Sequence, residues 1–480
     1  MLTKVNLVAL SAVFIALITA YLISIDIQLG LLFPMFFIIV IPLLYVLYNK
    51  PFIGIILTLI ISFFILGILR FVDLPLGILM DAIIVLLFLI TLIHAITEKN
   101  NLSVTNIISI FVIIWITYNF LQLLNPLAAS RAVWIYAIRP IAITMLFYFV
   151  SLRYINTYEN VKIFSYVFIL LSSLLAFYGI FQEYNGLLPA EEAWVRSDPG
   201  RLALFFNWWR FRKFSFFADP MTFGVTCAYS GVFALILALG SSIQAWKRIV
   251  LGILSALMFF SMVFSGTRTA YVMPVAGFGF YVLLNLNWKV ITASTLIFAL
   301  FFGIIISPIK SIGPLDENNL NRIRSAFFPT DDPSFNVRLK NQAMIQPYIH
   351  THPIGGGIGS TGQLAVKFTP NTMLSQFQVD SGFVKIGVEQ GIVGLLIYCL
   401  LLFFIFKIGL EAHKKLNDSK DKNILAAILC TLFSILVANY AQEVITMYPT
   451  NIIFYGFMGI IIYYYNFTKF KENDNYEKVL

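Results

Sequence analysis

Apolar runs of about twenty residues recur along the chain between short polar turns, and each is long enough to cross a bilayer as a helix. The pattern predicts about fourteen spans (12–14), near 5–24, 27–48, 51–69, 76–95, 104–122, 133–152, 161–183, 222–240, 248–265, 269–286, 290–307, 382–407, 423–441 and 451–467. Backbone groups in lipid must be satisfied within their own segment, so these runs form helices. The period-two alternation of a membrane β-barrel is absent. Two polar segments, 184–221 and 308–381, break the rhythm. One apolar run carries charge that lipid rejects: "VDSGFVKIGVEQGIVG", Val379 to Gly394, holds Asp380, Lys385 and Glu389 and closes on a Gly-x-x-Gly, Gly391 to Gly394.

Composition supports this class. Only 11% of the 480 residues are charged, against about 25% in a soluble domain, too few to cover a globular core of this size. The expected fold is an all-α polytopic membrane protein, a single integral membrane domain over 1–480. Cys227, Cys399 and Cys430 all fall in apolar runs, which argues against a disulfide framework or a thiolate metal site. The net charge of +9 is dispersed rather than massed on one domain, so nucleic acid is not indicated. The opening "MLTK" and its apolar run lack a small-x-small cleavage pattern leading into a soluble chain, and read as an uncleaved first helix.

Charge type separates the two faces better than charge number. With both termini inside, 14 of 19 Lys fall on the inner side and 11 of 13 Arg on the outer. Lys is a hydrated point charge, whereas Arg is a planar fork suited to phosphate or carboxylate. The outer face is therefore where an anionic ligand is expected, although outer Arg can also pair with acids or lipid headgroups. In this topology 184–221 is an extracytoplasmic interfacial loop and 308–381 a large extracytoplasmic one; 408–422 is a cytoplasmic loop and 468–480 a cytoplasmic tail.

The first long loop interleaves Trp208, Trp209, Arg210, Phe211 and Arg212, a composition for the membrane interface whose rings can also stack on sugars. The second contains "FNVRLKNQAMIQPYIHTHPIGGGIGSTG", with helical spacing around Arg338. Its Gly357 to Gly362 match Gly-x-Gly-x-x-Gly without a βαβ context, so a flexible turn is expected there rather than a nucleotide site. His350 and His352 stand two apart, too few for zinc, and are kept as sugar contacts. Asp331 and Asp332 before Pro333 read as a turn. "SGTRTAYV" places Arg268 at a junction between spans, and "NPLAASRAVWIYAIRP" does the same for Arg131 and Arg139, with Asp81 as a structural partner for one of them.

Together these pieces resemble the bacterial O-antigen ligase and O-antigen polymerase superfamily of membrane glycosyltransferases. The resemblance rests on the Arg of "SGTRTAYV", the Arg that opens "RKFSFFADP" ahead of its F-x-x-P element, and the loop from "VRLKNQAM" to "HPIGGGIG". It rests most on Asp380, Ser381, nine residues, then Gly391, Ile392, Val393 and Gly394. Ligases of the family have His where this chain has Asp380. The resemblance implies a GT-C-like architecture in a bacterial inner membrane and metal-independent, cofactor-free, inverting transfer from a polyprenyl-diphosphate-linked oligosaccharide on the outer face. It further implies Arg212, Arg268, Arg338 and Arg139 as diphosphate ligands, Asp380 as the base, and Gly391 and Gly394 in close helix packing, with Glu389 a polar anchor. The missing His favours a repeat-unit polymerase over a ligase to lipid A core or protein. Such a system implies membrane lipids, a flippase and a chain-length regulator as partners. A lipid-linked oligosaccharide transporter is the reading from another class, disfavoured by the lack of repeats and the heavy loop. The topology is testable by cysteine labelling at Ser360 and Ser419: an impermeant reagent should reach the first and miss the second, and the reverse overturns it.

Overall fold

In the computed structural model the described residues are 40–68, 70–71, 76–98, 105–207, 210–286, 288–311, 316–328 and 333–477, with isolated positions before 40. The expected spans near 5–24 and 27–48 lie largely outside them, as do Trp208, Trp209, Asp331 and Asp332. The chain divides into two compact units, Met1–Ile55 and Ile56–Leu480, and the second holds every element after the first turn of α1 (Pro51–Ile68).

The elements follow in chain order. First come α1 (Pro51–Ile68), α2 (Leu76–Thr97), α3 (Ile107–Leu121), α4 (Arg131–Ile138), α5 (Leu146–Tyr154) and α6 (Tyr158–Asn185). The first polar segment holds α7 (Pro189–Arg196), α8 (Pro199–Phe205) and the two-residue strands β1 (Phe206–Asn207) and β2 (Arg210–Phe211). Then α9 (Pro220–Leu239), α10 (Ala245–Phe264), α11 (Arg268–Leu284) and α12 (Trp288–Ile306) return to apolar sequence. The second polar segment holds α13 (Glu317–Phe327), α14 (Pro333–Thr351) and α15 (Gly362–Phe368). The chain ends with α16 (Gly382–Glu389), α17 (Gly391–Lys415), α18 (Ser419–Ala441) and α19 (Thr450–Glu477). Among the described residues nine helices are long and apolar enough to cross a membrane. The protein is an all-α polytopic membrane protein.

Local chemistry sets many of the boundaries. Asp198-Pro199 and Asp219-Pro220 start α8 and α9 with an acidic cap and a proline whose missing N–H is not needed there. Between α4 and α5 a π turn, Arg139–Ile143, absorbs Pro140 inside what the hydropathy pattern predicts as one span. Helix α9 is the most enclosed of the nine: 83% of its most apolar window is buried. Its small residues let neighbours close in, Gly224 against Ser265 and Gly231 against Phe259, while Ser255 donates across to Gly231 O.

The charged run that opened the question is not one helix. The expected span 382–407 breaks at Gln390-Gly391 into α16 and α17, with Gly391 at φ +72°. The "flexible" glycine turn is also corrected: Gly355 to Gly359 are buried and wrap that break. Gly356 N donates to Val388 O at 2.9 Å and Gly357 N to Glu389 O at 2.8 Å. The Glu389 carboxylate accepts from Gly359 N at 3.0 Å, and from Thr361 N and Oγ1. A Cβ on Gly391 would stand 2.1 Å from Pro353 O, and one on Gly355, also at positive φ, 2.5 Å from the Glu389 carbonyl. Gly391 therefore serves a crossing of two backbones rather than helix packing. Gly394 does face a helix, with Tyr118 of α3 3.0 Å from where its Cβ would be.

Ser360 sits in this wrapped loop with its hydroxyl buried, so exposed Asn371 is the better labelling position on that segment. Gly391→Ala combines positive φ with a backbone clash, and should lower stability by about 1–3 kcal/mol. Thermal unfolding of the purified protein measures this, with Gly279→Ala as control because nothing lies near that position. Equal melting of the two variants would contradict the crossing.

Candidate active site

The first polar segment is fastened to the bundle by a buried ion pair. Arg70, between α1 and α2, meets Glu191 of α7 at 3.2 Å and donates to Phe217 O; its guanidinium lies 4.4 Å from the Phe214 ring centre. Tyr178 and Gln182 of α6 donate to the same carboxylate, at 3.0 Å each. Gln182 in turn accepts from Ser215 N at 2.9 Å. A second clamp joins the two polar segments: Arg210 donates to Asp316, the cap of α13, at 2.7 Å, and also to Glu183 at the end of α6. Arg210, proposed from the sequence beside Trp208 and Trp209 as a possible sugar contact, is therefore bound by two carboxylates and does not line the cleft.

These clamps set Arg212 against the turn between α10 and α11. Its Nε donates to Ser265 O at 2.8 Å, Nη2 to Thr267 Oγ1 at 3.0 Å and Nη1 to Leu204 O at 3.3 Å. The turn needs Gly266, at φ +62°: a Cβ there would lie 2.1 Å from Arg322 Nη1 and 3.4 Å from Arg212 Nε. Two guanidinium groups thus close on one point of backbone. Burial, and next the charge of Arg322, lower Arg212 to about 10, still protonated at neutral pH. Burial lowers Arg322 as well, with Arg210 adding to it. Arg268 opens α11, where a cation faces the positive end of the helix dipole.

The cleft these residues line has a volume of about 460 Å³. Arg212, Arg268 and Arg338, proposed from the sequence, meet in it, together with Asp380. Arg322 of α13 joins them and is the residue the sequence reading did not single out. The available signal was an Arg in an amphipathic stretch, "ENNLNRIRSAF", of the second long segment. Asp380 is not the cap of α16, because Ser381 accepts from Val384 N in that role. Gly382, packed against the Asn439 amide, and Lys385, bonded to Glu443 at 2.7 and 2.9 Å, hold α16 to the end of α18.

Other expected site residues lie elsewhere. Arg139 is held by Asp81, the partner expected for it or for Arg131, and does not line the cleft. His350 is exposed on α14, and His352 stacks on Tyr348 with ring centres 3.9 Å apart. Neither lines the cleft. Among the described residues no three His, Cys, Asp or Glu gather as metal ligands.

Residues 253–399 match the family model described as O-antigen ligase. The matched segment contains Arg268, Arg322, Arg338, Asp380, Gly391 and Gly394, while Arg212 precedes it. Curated proteins give no match. Guanidinium groups held this close should bind a multivalent anion. Inorganic diphosphate at a hundredfold excess over its Kd should therefore stabilise the protein by about 2.7 kcal/mol, read as a rise in melting temperature. Arg322→Gln should lose most of the rise, and Arg268→Lys or Arg338→Lys part of it, since a point charge replaces a fork. An unchanged rise in all three variants would rule out the cleft as the anion site.

Proposed function

We propose that this protein is a repeat-unit polymerase: it transfers a growing glycan from a polyprenyl diphosphate carrier to the next lipid-linked unit, on the outer face of a bacterial inner membrane. The observation that carries the reading is the meeting of four guanidinium groups and one carboxylate in a single cleft. A glycosyl diphosphate demands this combination, because negative charge grows on the leaving group while the attacking hydroxyl must lose a proton.

The chemistry is a single displacement at C1 of the donor sugar. The acceptor oxygen forms the new bond to C1 as the bond from C1 to the diphosphate oxygen breaks, and that electron pair leaves with the diphosphate. Arg268, Arg322 and Arg338 stabilise the departing charge, with Arg212 holding the turn and adding its own charge. Asp380 takes the proton of the acceptor hydroxyl. Attack opposite the leaving group inverts C1. Outward orientation follows from the Arg and Lys distribution, and membrane lipids, a flippase and a chain-length regulator are the partners such a reaction needs.

A ligase working through Asp380 is the second reading, favoured by the description of the matched family. Purified protein incubated with a lipid-linked repeat unit distinguishes them: a ladder of products supports polymerisation, one transfer to a different acceptor supports ligation, and no transfer overturns both. Asp380→Asn should reduce transfer by roughly two to four orders of magnitude and keep the diphosphate-induced rise in melting temperature. Near-normal transfer by that variant would remove Asp380 from the chemistry.

A further inference from the structure

The lining of the cleft is chemically uneven. All four Arg come from the 204–212 segment, α11, α13 and α14. The approach to α16 and the end of α18 contribute Asp380, Ser381, exposed Tyr440 and Gln442, and no cation among the described residues. The Gln442 Oε1 atom is buried and has no hydrogen-bond partner among the described residues. A buried amide oxygen left without a donor costs about 1–3 kcal/mol; because it makes no hydrogen bond to the described residues, turning the Gln442 amide so that this oxygen meets a ligand's donor in the cleft breaks none.

The position of Gln442 is well determined. It ends α18 in extended conformation, its N–H donating to Ala438 O at 2.9 Å. The next residue, Glu443, carries the ion pair to Lys385 of α16, and Asn439 Oδ1 accepts from Val444 N and Ile445 N. The contacts that join α16 to α18 therefore fix Asp380 and Gln442 relative to each other.

We propose that Asp380 and Gln442 form the acceptor half of the cleft, with Gln442 Oε1 receiving a hydrogen bond from a second hydroxyl of the acceptor sugar and so orienting the attacking hydroxyl towards Asp380. This rests on the transfer reaction above and adds the side from which the acceptor enters. The Arg half binds a diphosphate, and the uncharged half binds a neutral polyol. Gln442 is then a specificity residue: it senses the acceptor and not the donor.

The test is two-substrate kinetics on the full chain. The donor is a polyprenyl-diphosphate-linked repeat unit with its accepting hydroxyl methylated, and the acceptor is the same unit on a non-cleavable lipid tail. Gln442→Leu should raise the acceptor KM roughly threefold to tenfold, the worth of one hydrogen bond. Donor KM, donor hydrolysis without acceptor, and the diphosphate-induced rise in melting temperature should stay unchanged. Gln442→Glu keeps an accepting oxygen and should recover part of the acceptor KM; Gln442→Ala supplies the same split if Leu misfolds. Equal changes in both KM values, no change in either, or a Glu variant as impaired as Leu would overturn the subsite while leaving wild-type transfer intact. A wild-type protein that transfers nothing would instead remove the reaction, and this inference with it.

Discussion

Like charges brought together away from bulk water repel, and this repulsion is the constraint around which the cleft is built. Two unit charges 4 Å apart at an effective dielectric of about 20 repel by about 4 kcal/mol, a large fraction of a folded domain's stability. Arg212 and Arg322 both crowd the Gly266 turn, and Arg268 stands at the head of the helix that follows. Such an arrangement persists only if other interactions hold it. Arg212 has three donors committed to protein oxygens. Arg210 links Glu183 to Asp316 and ties the two polar segments together behind the cluster. The buried pair Arg70–Glu191, faced by Trp194 and Phe214, holds the first segment to the bundle.

A second constraint acts on the opposite chemistry. Asp380 must stand at the cleft while the run that follows it enters an apolar bundle. The chain meets both demands by breaking that run after one short helix. Gly391 turns through positive φ, Gly355 crosses it, and Glu389 is satisfied by the N–H groups of the wrapped loop. The same loop is held from the other side by Asn125, which donates to Gly355 O at 3.1 Å. Glycine is required at both crossing points because either Cβ would occupy the other backbone. Sequence spacing and backbone crossing are thus two views of one requirement.

Arg residues in this chain do two kinds of work that composition cannot separate. Arg70, Arg139 and Arg210 are matched to carboxylates and hold elements together. Arg212, Arg268, Arg322 and Arg338 share a cleft in which, among the described residues, Asp380 supplies the single carboxylate of the lining. The same planar fork suits both tasks, so residue type alone points to the class of partner and not to which partner is present.

Much of the fold was legible along the chain, for a physical reason. Bilayer thickness sets the length of an apolar run, and local caps such as Asp219-Pro220 and Ser381 set where helices begin, so the helical class and most spans follow from nearest-neighbour rules. The grouping of Arg212, Arg268, Arg338 and Asp380 was also legible, through the motifs that resemble the ligase and polymerase superfamily. What only the tertiary structure decided is which charges meet. Arg139 finds Asp81 across 58 positions, Arg210 finds Asp316 across 106, and Arg322 reaches the Gly266 turn. The break at Gly391 was likewise invisible to hydropathy, since both halves are apolar and the loop that forces the turn lies more than thirty residues upstream. Burial, pairing and crossing are properties of contacts between distant segments, and no periodicity within one segment encodes them.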